Sequence, residues 1–261
     1  MAAPDYSVES LIENINIRCS VPESQLTYTA ADFTILANNE LQDEVVPLLM
    51  STREEYFVDF VDIPSPADGV IPFPANTIGG KVRSVCYLQQ TNPLILVNLP
   101  RIDLDVVAGI GFNNFTVLAG FFIQGNDIHL FPNSSVPTNT MIRIYYYKRT
   151  LVLAPPALYA KVVAVDALSN TLQLDLVPAV WAVGTELNSV NYISPFNATN
   201  ALFTITALSA PSIVVDDVTG IQVGDFISEY GYSAVPQIPI EAHGYLAQLT
   251  AAKALEGLGD R

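Results

Sequence analysis

Two histidines are the side chains most able to act as general acids or bases in this sequence. His129 lies in a predicted hairpin strand, and His243 lies near the start of the last predicted helix. Imidazole titrates near neutral pH, so it can accept or donate a proton during a reaction. A role as general base is open at each position, but a hydrogen-bonded or surface histidine is the better interpretation of both.

Carboxylate pairs are the second possible source of chemistry. Asp103 and Asp105 share one face of a strand or neighbouring positions of a helical turn, whereas Asp216 and Asp217 are adjacent and point apart in a strand. Neither pair is a credible two-carboxylate site at the spacing that glycoside hydrolysis needs. A calcium site is not indicated either, because the sequence has no loop of the EF-hand type.

Other catalytic signatures are missing from the sequence. There is no GxxxxGK[ST], HExxH or GxSxG motif and no paired Cys/His cluster, and Gly109-Ile-Gly111 is a GxG that indicates a loop. Two cysteines, Cys19 and Cys86, cannot form a disulfide framework, so we expect free, partly buried thiols. The sequence therefore predicts no enzyme activity, no metal and no cofactor.

The aromatic run Tyr145-Tyr146-Tyr147 beside Lys148 and Arg149 is compatible with stacking on single-stranded bases. Strands rich in aromatic residues more often pack in a core or an interface, and we favour that interpretation. The charge balance supports it, because 11 basic and 26 acidic residues give a net charge of −15. A chain this negative is not expected to bind nucleic acid independently of sequence, which needs clustered Lys and Arg. It suits a surface past which DNA slides without adhering.

Three segments with helical periodicity must position these residues. The first covers residues 7–19, with Ser7 as the N-cap, and its apolar face consists of Val8, Leu11, Ile12 and Ile15. The longest covers residues 29–57 and begins with a capping pair, Thr29 and Asp32. Pro47 removes a backbone donor, so we expect a kink or break near Val45–Val46.

The long helix and the last helix, residues 239–258, each need an apolar partner. We expect the last helix to pack against the other two, so that the two ends of the chain form a small bundle. The predicted stripe of the long helix is Ile35, Leu36, Asn39, Glu40, Val45, Leu48, Leu49 and Phe57. The predicted face of the last helix is Ala242, Leu246, Leu249 and Lys253.

The middle of the chain has the pattern of β structure. Predicted strands cover residues 56–61, 70–73, 81–89, 115–123, 128–131 and 141–149, with a tight loop at Ile78-Gly79-Gly80 and a short helix at 101–108. Residues 162–187 and 203–227 resemble each other, and aligning Gly184 with Gly224 also pairs Val183 with Val223. This repeat predicts two three-stranded halves that close into a barrel, although Asp, Gly and Val recur in any β meander.

The sequence thus predicts an α+β fold in three parts. Residues 1–60 and 234–261 form the helical bundle, residues 61–157 a β-rich insertion with hairpins, and residues 158–233 the small barrel. The N-terminus lacks the pattern of a signal peptide, and no apolar run is long enough to span a membrane. Prolines spread through extended, lightly charged segments indicate a protein that completes its burial against neighbouring subunits.

Several segments together resemble one family of virion proteins. They are the opening SLIENINIRCSVPESQLTYTAADFTILANNELQDEVVPLLMSTREEYFV, then IGGKVRSV, IHLFP and IRIYYYKR, and the closing VPQIPIEAHGYLAQLTAAKALEGLGD. In these segments the chain is similar to head-to-tail connector proteins of tailed bacteriophages, especially short-tailed ones, which are also called adaptor, head-completion or ring proteins. The resemblance covers both helical ends and several of the middle strands.

The resemblance implies a ring, typically of about twelve copies, docked beneath the portal protein. It implies other tail or ring proteins as further partners, a virion location, and genome DNA passing through the lumen without specific binding. It implies no catalytic residues, and the residues that match its motifs are expected to be helix-end and turn determinants or subunit contacts. Together with Pro47, these candidates are Arg53, Glu54, Glu55, Tyr56, Gly79, Gly80, Lys81 and Arg83.

Two other functions remain open at this point. A different structural role in the virion, such as a tail-hub or capsid-associated protein, fits the acidity and the β-rich middle but does not need a bundle closed by both ends of the chain. A soluble enzyme or binding domain built on the barrel needs convergent polar groups, which the sequence does not indicate.

Overall fold

A computed structural model describes residues 6–20, 28–92, 94–103, 105, 120–132, 140–190 and 201–259. The fold is α+β, with helices towards both ends of the chain, strands between them and a closed β-barrel, as predicted. The chain divides into two compact units. We call them the helix–barrel unit, Met1–Thr52 with Thr150–Arg261, and the sheet unit, Arg53–Arg149. The predicted division into three parts stays a prediction.

The helical bundle of the helix–barrel unit is confirmed. Its helices are α1 (Val8–Cys19), α2 (Ala30–Glu40), α3 (Val46–Thr52) and α4 (Ile240–Leu258), and α4 packs on both α1 and α2. Both predicted caps are present: the Ser7 side chain accepts from the Ser10 N–H, and Thr29 and Asp32 form a reciprocal capping box. The predicted apolar face of α1 is buried. Within the described residues, no helix has both the length and the apolar character needed to cross a membrane.

The long helix predicted for residues 29–57 is interrupted beside the predicted break. After α2 the backbone widens into a π-helix, Leu41–Val45, before α3 begins. The Val46 N–H donates to the Leu41 carbonyl, one residue further back than in an α-helix. Pro47 follows at once, and its ring would clash with the carbonyl four residues earlier, so the widened turn accounts for the predicted break. The last turn, Glu54–Phe57, is a separate 3₁₀-helix.

The buried faces of two helices differ from the predicted ones. One extra residue in the π-helix rotates the side chains that follow it by about 100°, and Leu48, which follows it, is 47% exposed. Ile35 precedes the π-helix and is 59% exposed, because α2 buries Phe33, Thr34 and Ala37 instead. On α4, Lys253 is exposed, and the buried face is shifted by a few residues. The buried residues of α2 through α3 are Phe33, Thr34, Ala37, Glu40, Leu41, Val45 and Val46, and those of α4 are Leu246, Ala247, Thr250, Ala251 and Ala254.

The sheet unit contains two sheets. Its strands are β1 (Val58–Pro64), β2 (Val70–Pro72), β3 (Thr77–Thr91), β4 (Leu94–Leu99), β5 (Gly120–Gln124), β6 (Asp127–Phe131) and β7 (Met141–Lys148). One sheet has the order β1-β7-β3-β4 and the other the order β2-β6-β5. Alternation along β7 buries Ile142, Ile144 and Tyr146, which join Val85, Ile128 and Leu130 in the core of this unit.

The structure tests two of the predictions for the sheet unit. The hairpin at residues 120–131 is confirmed, with β5 and β6 joined at Gly125-Asn126. Gly79 and Gly80 do not form a separate tight loop, because they lie inside β3, where the pairing with β7 shifts between Thr77 and Val82. Most of the predicted helix at 101–108, the loop at 109–111 and residues 115–119 lie outside the described residues.

The barrel closes six strands in the order β10-β13-β12-β11-β14-β9. They are β9 (Tyr159–Asp166), β10 (Thr171–Leu174), β11 (Glu186–Val190), β12 (Ala201–Ser209), β13 (Ser212–Val215) and β14 (Phe226–Glu229). Aliphatic side chains from all six strands, with Phe203 and Trp181, fill the interior. Two short strands, β8 (Val152–Leu153) and β15 (Tyr232–Ser233), pair beside it.

The predicted internal repeat corresponds to two halves with the same hydrogen bonds. Asp175 accepts from the Lys161 N–H as Asp216 accepts from the Thr204 N–H, each at 2.7 Å. The Gly184 N–H donates to the Ile205 carbonyl at 2.8 Å, and the Gly224 N–H donates to the Val162 carbonyl at 2.9 Å. Strands β9–β11 and β12–β14 are therefore equivalent, and Gly184 and Gly224 hold equivalent positions, although the offset between the halves is larger in the preceding strands.

The two long loops of the barrel are equivalent as well, and they lie at opposite ends. We call them loop L1 (residues 175–185), between β10 and β11, and loop L2 (residues 216–225), between β13 and β14. Because β10 and β13 are antiparallel neighbours, the loops that follow them leave from opposite ends of the barrel. Each loop turns one large side chain inward, Trp181 in L1 and Ile221 in L2.

Candidate assembly site

Residues predicted from two separate motifs meet in the sheet unit. Glu54 lies in the 3₁₀-helix before β1, and Lys81 follows the glycines of β3. The Lys81 Nζ is 3.3 Å from the Glu54 Oε2 and 4.5 Å from the centroid of the Tyr147 ring. The Tyr147 hydroxyl also hydrogen-bonds to the Glu54 carboxylate. We call Glu54, Lys81 and Tyr147 the motif cluster.

Glycine is required where β3 enters the motif cluster. Gly79 and Gly80 have φ angles of 53° and 66°, a conformation that L side chains rarely adopt. A Cβ on Gly80 would also lie 3.1 Å from a ring carbon of Phe73. The two glycines let β3 bulge against β7 and deliver Lys81 to the carboxylate of Glu54.

The electrostatics of the motif cluster favour a charged Glu54. The Tyr147 hydroxyl contributes most to lowering the pKa of Glu54 below its usual value; desolvation opposes it, and Lys81 and Arg83 lower the pKa further. Burial raises the pKa of Tyr147, and the bond to Glu54 raises it further. The side chains of Lys81 and Glu54 are 54% and 38% exposed, so their ion pair adds little to stability. Its exposure leaves it open to contact by another molecule.

Four further motif residues lie at the same end of this sheet. The Arg53 Nη1 donates to the Tyr56 hydroxyl at 3.1 Å, and the guanidinium lies 5.7 Å from the centroid of the Tyr56 ring. Arg83 is exposed on β3, close enough to influence the titration of Glu54. Glu55 is also exposed. These residues surround the motif cluster with charged, accessible side chains.

Pro47 does not belong to this cluster. It is an exposed residue in the first turn of α3, in the helix–barrel unit. The predicted set of nine residues therefore divides into one helix-shaping residue in one unit and eight residues in the other.

The structure places the two histidines in packed surroundings. His129 on β6 stacks on Phe122 with ring centroids 4.9 Å apart. Burial lowers the pKa of His243, although hydrogen bonds to the backbone at Ile238 and Pro236 oppose the shift. The His243 ring also lies edge-on to Tyr6 at 5.8 Å. Both imidazole rings are held by contacts with aromatic rings, which favours a structural role for each.

The candidate carboxylates serve the backbone or line a small cavity. Asp216 and Asp217 accept hydrogen bonds from backbone N–H groups at the start of loop L2. Asp103 and Asp105 line a cavity of about 140 Å³ together with Arg101. Within the residues that the structure describes, no group of three or more His, Cys, Asp or Glu side chains could hold a metal ion.

Two polar features were missed by the sequence interpretation. Arg143 donates from Nε and Nη2 to both oxygens of Asp62, each at 2.7 Å, and its guanidinium lies 4.1 Å from the centroid of the Phe60 ring. Tyr147 joins the motif cluster, whereas the sequence indicated only a packed aromatic strand. Opposite charges at paired positions of β1 and β7 were the available signal, but strand pairing is not visible in the sequence.

Comparison of the chain with protein-family models gives no match, and comparison with curated proteins gives none either.

Proposed function

We propose that this chain is a structural virion protein that forms a ring in the head-to-tail connector of a tailed bacteriophage, below the portal. The observation that carries the proposal is the meeting of the motif residues. Glu54 and Lys81 come from segments 27 residues apart, and both segments carry the resemblance to connector proteins. Their side chains form an exposed charged cluster, which suits a contact between subunits better than a reaction centre.

The distribution of charge supports a role beside DNA. The helix–barrel unit has 4 basic and 18 acidic residues, a net charge of −14, whereas the sheet unit has 7 and 8, a net charge of −1. We infer that the helix–barrel unit faces the lumen, because like charges keep phosphates from adhering to the wall. Other tail proteins and the portal are the remaining partners, and the DNA passes without specific binding.

The filled interior of the barrel supports a structural role for the barrel over a binding site inside it. Small barrels that bind ligands keep an open mouth or an internal cavity. Here Trp181 and Ile221 enter the core from the two long loops. The barrel therefore serves as a rigid body that presents its outer surface.

Light scattering after size-exclusion chromatography, followed by electron microscopy, tests the proposal. The purified chain is studied alone and after mixing with the portal protein of the phage that encodes it. We expect ring-shaped particles of uniform copy number, with or without the portal. A chain that remains monomeric in both conditions would overturn the proposal, and an image of a hub or of capsid decoration would replace it.

A further inference from the structure

Loops L1 and L2 make equivalent hydrogen bonds, although L1 is one residue longer, and they differ in the side chains that they expose. L1 exposes Leu176, Val180 and Val183 at 52%, 57% and 64%. In L2 the exposed residues include Val223 at 62%, but the others are mostly polar, among them Asp217, Thr219 and Gln222. Because the two loops make equivalent hydrogen bonds, L2 shows what the loop requires to fold. The apolar surface of L1 goes beyond that requirement.

The shared requirement lies inside the barrel and in the turns. Trp181 and Ile221 enter the core at equivalent positions, since their N–H groups donate to the carbonyls of Pro178 and Val218. Gly184 and Gly224 both have positive φ angles, 90° and 97°. None of these four residues accounts for Leu176 and Val180, which are exposed in L1 without an exposed apolar counterpart in L2, whereas Val183 has such a counterpart in Val223.

Charge differs between the two loops in the same sense. Residues 176–185 of L1 contain no charged residue, although exposed Asp175 and Glu186 flank them. The equivalent stretch of L2 contains Asp217 and Asp225, of which Asp217 is exposed. The helix–barrel unit as a whole has a net charge of −14, so two copies of it repel each other over most of their surfaces. An uncharged, apolar stretch of surface such as residues 176–185 is where like-charged copies can approach at the lowest cost.

We propose that L1 is a contact surface for a second copy of this chain. This inference rests on the proposed ring and names one of its subunit contacts. A closed ring requires heterologous contacts, so in the ring L1 meets a different surface of the neighbouring copy. Three side chains fall far short of the ~800 Å² per partner that a stable pair buries. The L1 contact therefore acts together with other contacts between the same two copies.

The repeat provides a matched pair of variants. Val180→Thr with Val183→Thr places hydroxyls on the L1 surface, and Val223→Thr does so at the equivalent position of L2. Threonine keeps the β-branched shape, and all three valines are exposed, so we expect thermal unfolding to change by no more than about 2 °C. Leu176→Gln is a second L1 variant, should the double variant fold poorly.

Sedimentation equilibrium of the purified chains alone measures the contact. We expect the double L1 variant to self-associate at least about tenfold more weakly than wild type, because polar groups are buried without partners. We expect Val223→Thr to associate like wild type.

Three results would overturn the inference: a wild-type chain that does not self-associate, a double variant that associates like wild type, or L1 variants that lose only portal binding. The last result would assign L1 to another protein. Portal binding of wild type, measured separately by co-sedimentation, decides the proposed function, so the two can fail independently.

Discussion

The two halves of the barrel are a natural comparison, because one fold has been used twice with different surfaces. Each half has a buried plug, a glycine in the left-handed conformation and an aspartate that accepts a backbone N–H from the neighbouring strand. Outward positions of L1 are apolar, whereas those of L2 are mostly polar or acidic. What the halves share is needed for folding, and what they do not share is available for function.

The largest effect should come from the two plugs. Trp181 is 5% and Ile221 is 7% exposed, and both contribute to the barrel core. We expect Trp181→Ala to lower the free energy of unfolding by about 3–5 kcal/mol and Ile221→Ala by about 2–5 kcal/mol, because each change leaves a cavity. Urea denaturation measures both values. If one replacement is almost neutral, the loops are not equivalent in the core and the comparison fails.

The turn glycines should give a smaller, matched effect. Gly184 and Gly224 have φ angles of 90° and 97°, and a Cβ on Gly184 would meet no atom within 4 Å. The cost of alanine at Gly184 is therefore backbone strain alone, about 1–2 kcal/mol, and we expect a similar cost at Gly224. Thermal unfolding of Gly184→Ala and Gly224→Ala measures it. Gly244→Ala on α4, where φ is not positive and the nearest atom is 3.8 Å away, is the control.

This equivalence could be predicted from the sequence because it depends on a few residues with fixed roles. Gly184 and Gly224, each preceded by valine, set the register of the repeat and hence the number of strands. Caps such as Thr29 with Asp32 were also visible, since their hydrogen bonds are local in the chain. Pro47 also indicated a break, but not its form as a widened turn, which depends on how the helix packs. The buried faces of α2 and α4 were missed because they depend on which helices pack together.

A still smaller effect is expected on the pKa of Asp217, which lies in L2. The Thr219 side chain, and then backbone N–H groups, hold the pKa of Asp217 below its usual value. A lowered pKa means that the native state gains stability above the ordinary value, about 3.9, and loses it as the pH falls through the native pKa. We expect Thr219→Val to raise the pKa of Asp217, as followed by NMR of the carboxyl carbon. The equivalent residue in L1 is Ala179, which has no such side chain, and an unchanged pKa in the variant would contradict the assignment.

The motif cluster shows what sequence motifs predict and what they do not. Two separate motifs indicated Glu54 on the one hand and Gly79, Gly80 and Lys81 on the other. The structure brings the two segments together, with Lys81 paired to Glu54 and the two glycines at positive φ before Lys81. Tyr147 was assigned to a packed strand, and its hydroxyl bond to Glu54 depends on pairing between β3 and β7. The apolar surface of L1 was missed for another reason. Only the folded repeat reveals which of its residues face outward.

Thiol labelling of the assembled protein tests most directly whether a second copy covers L1. The two native cysteines, Cys19 and Cys86, are buried, so Val183→Cys and Val223→Cys each introduce one accessible thiol, at equivalent positions of opposite ends. We expect a maleimide to label the Val183→Cys thiol readily in the monomer and slowly in the assembled protein. We expect the Val223→Cys thiol to react at the same rate in both. Equal labelling of the Val183→Cys thiol before and after assembly would contradict the account.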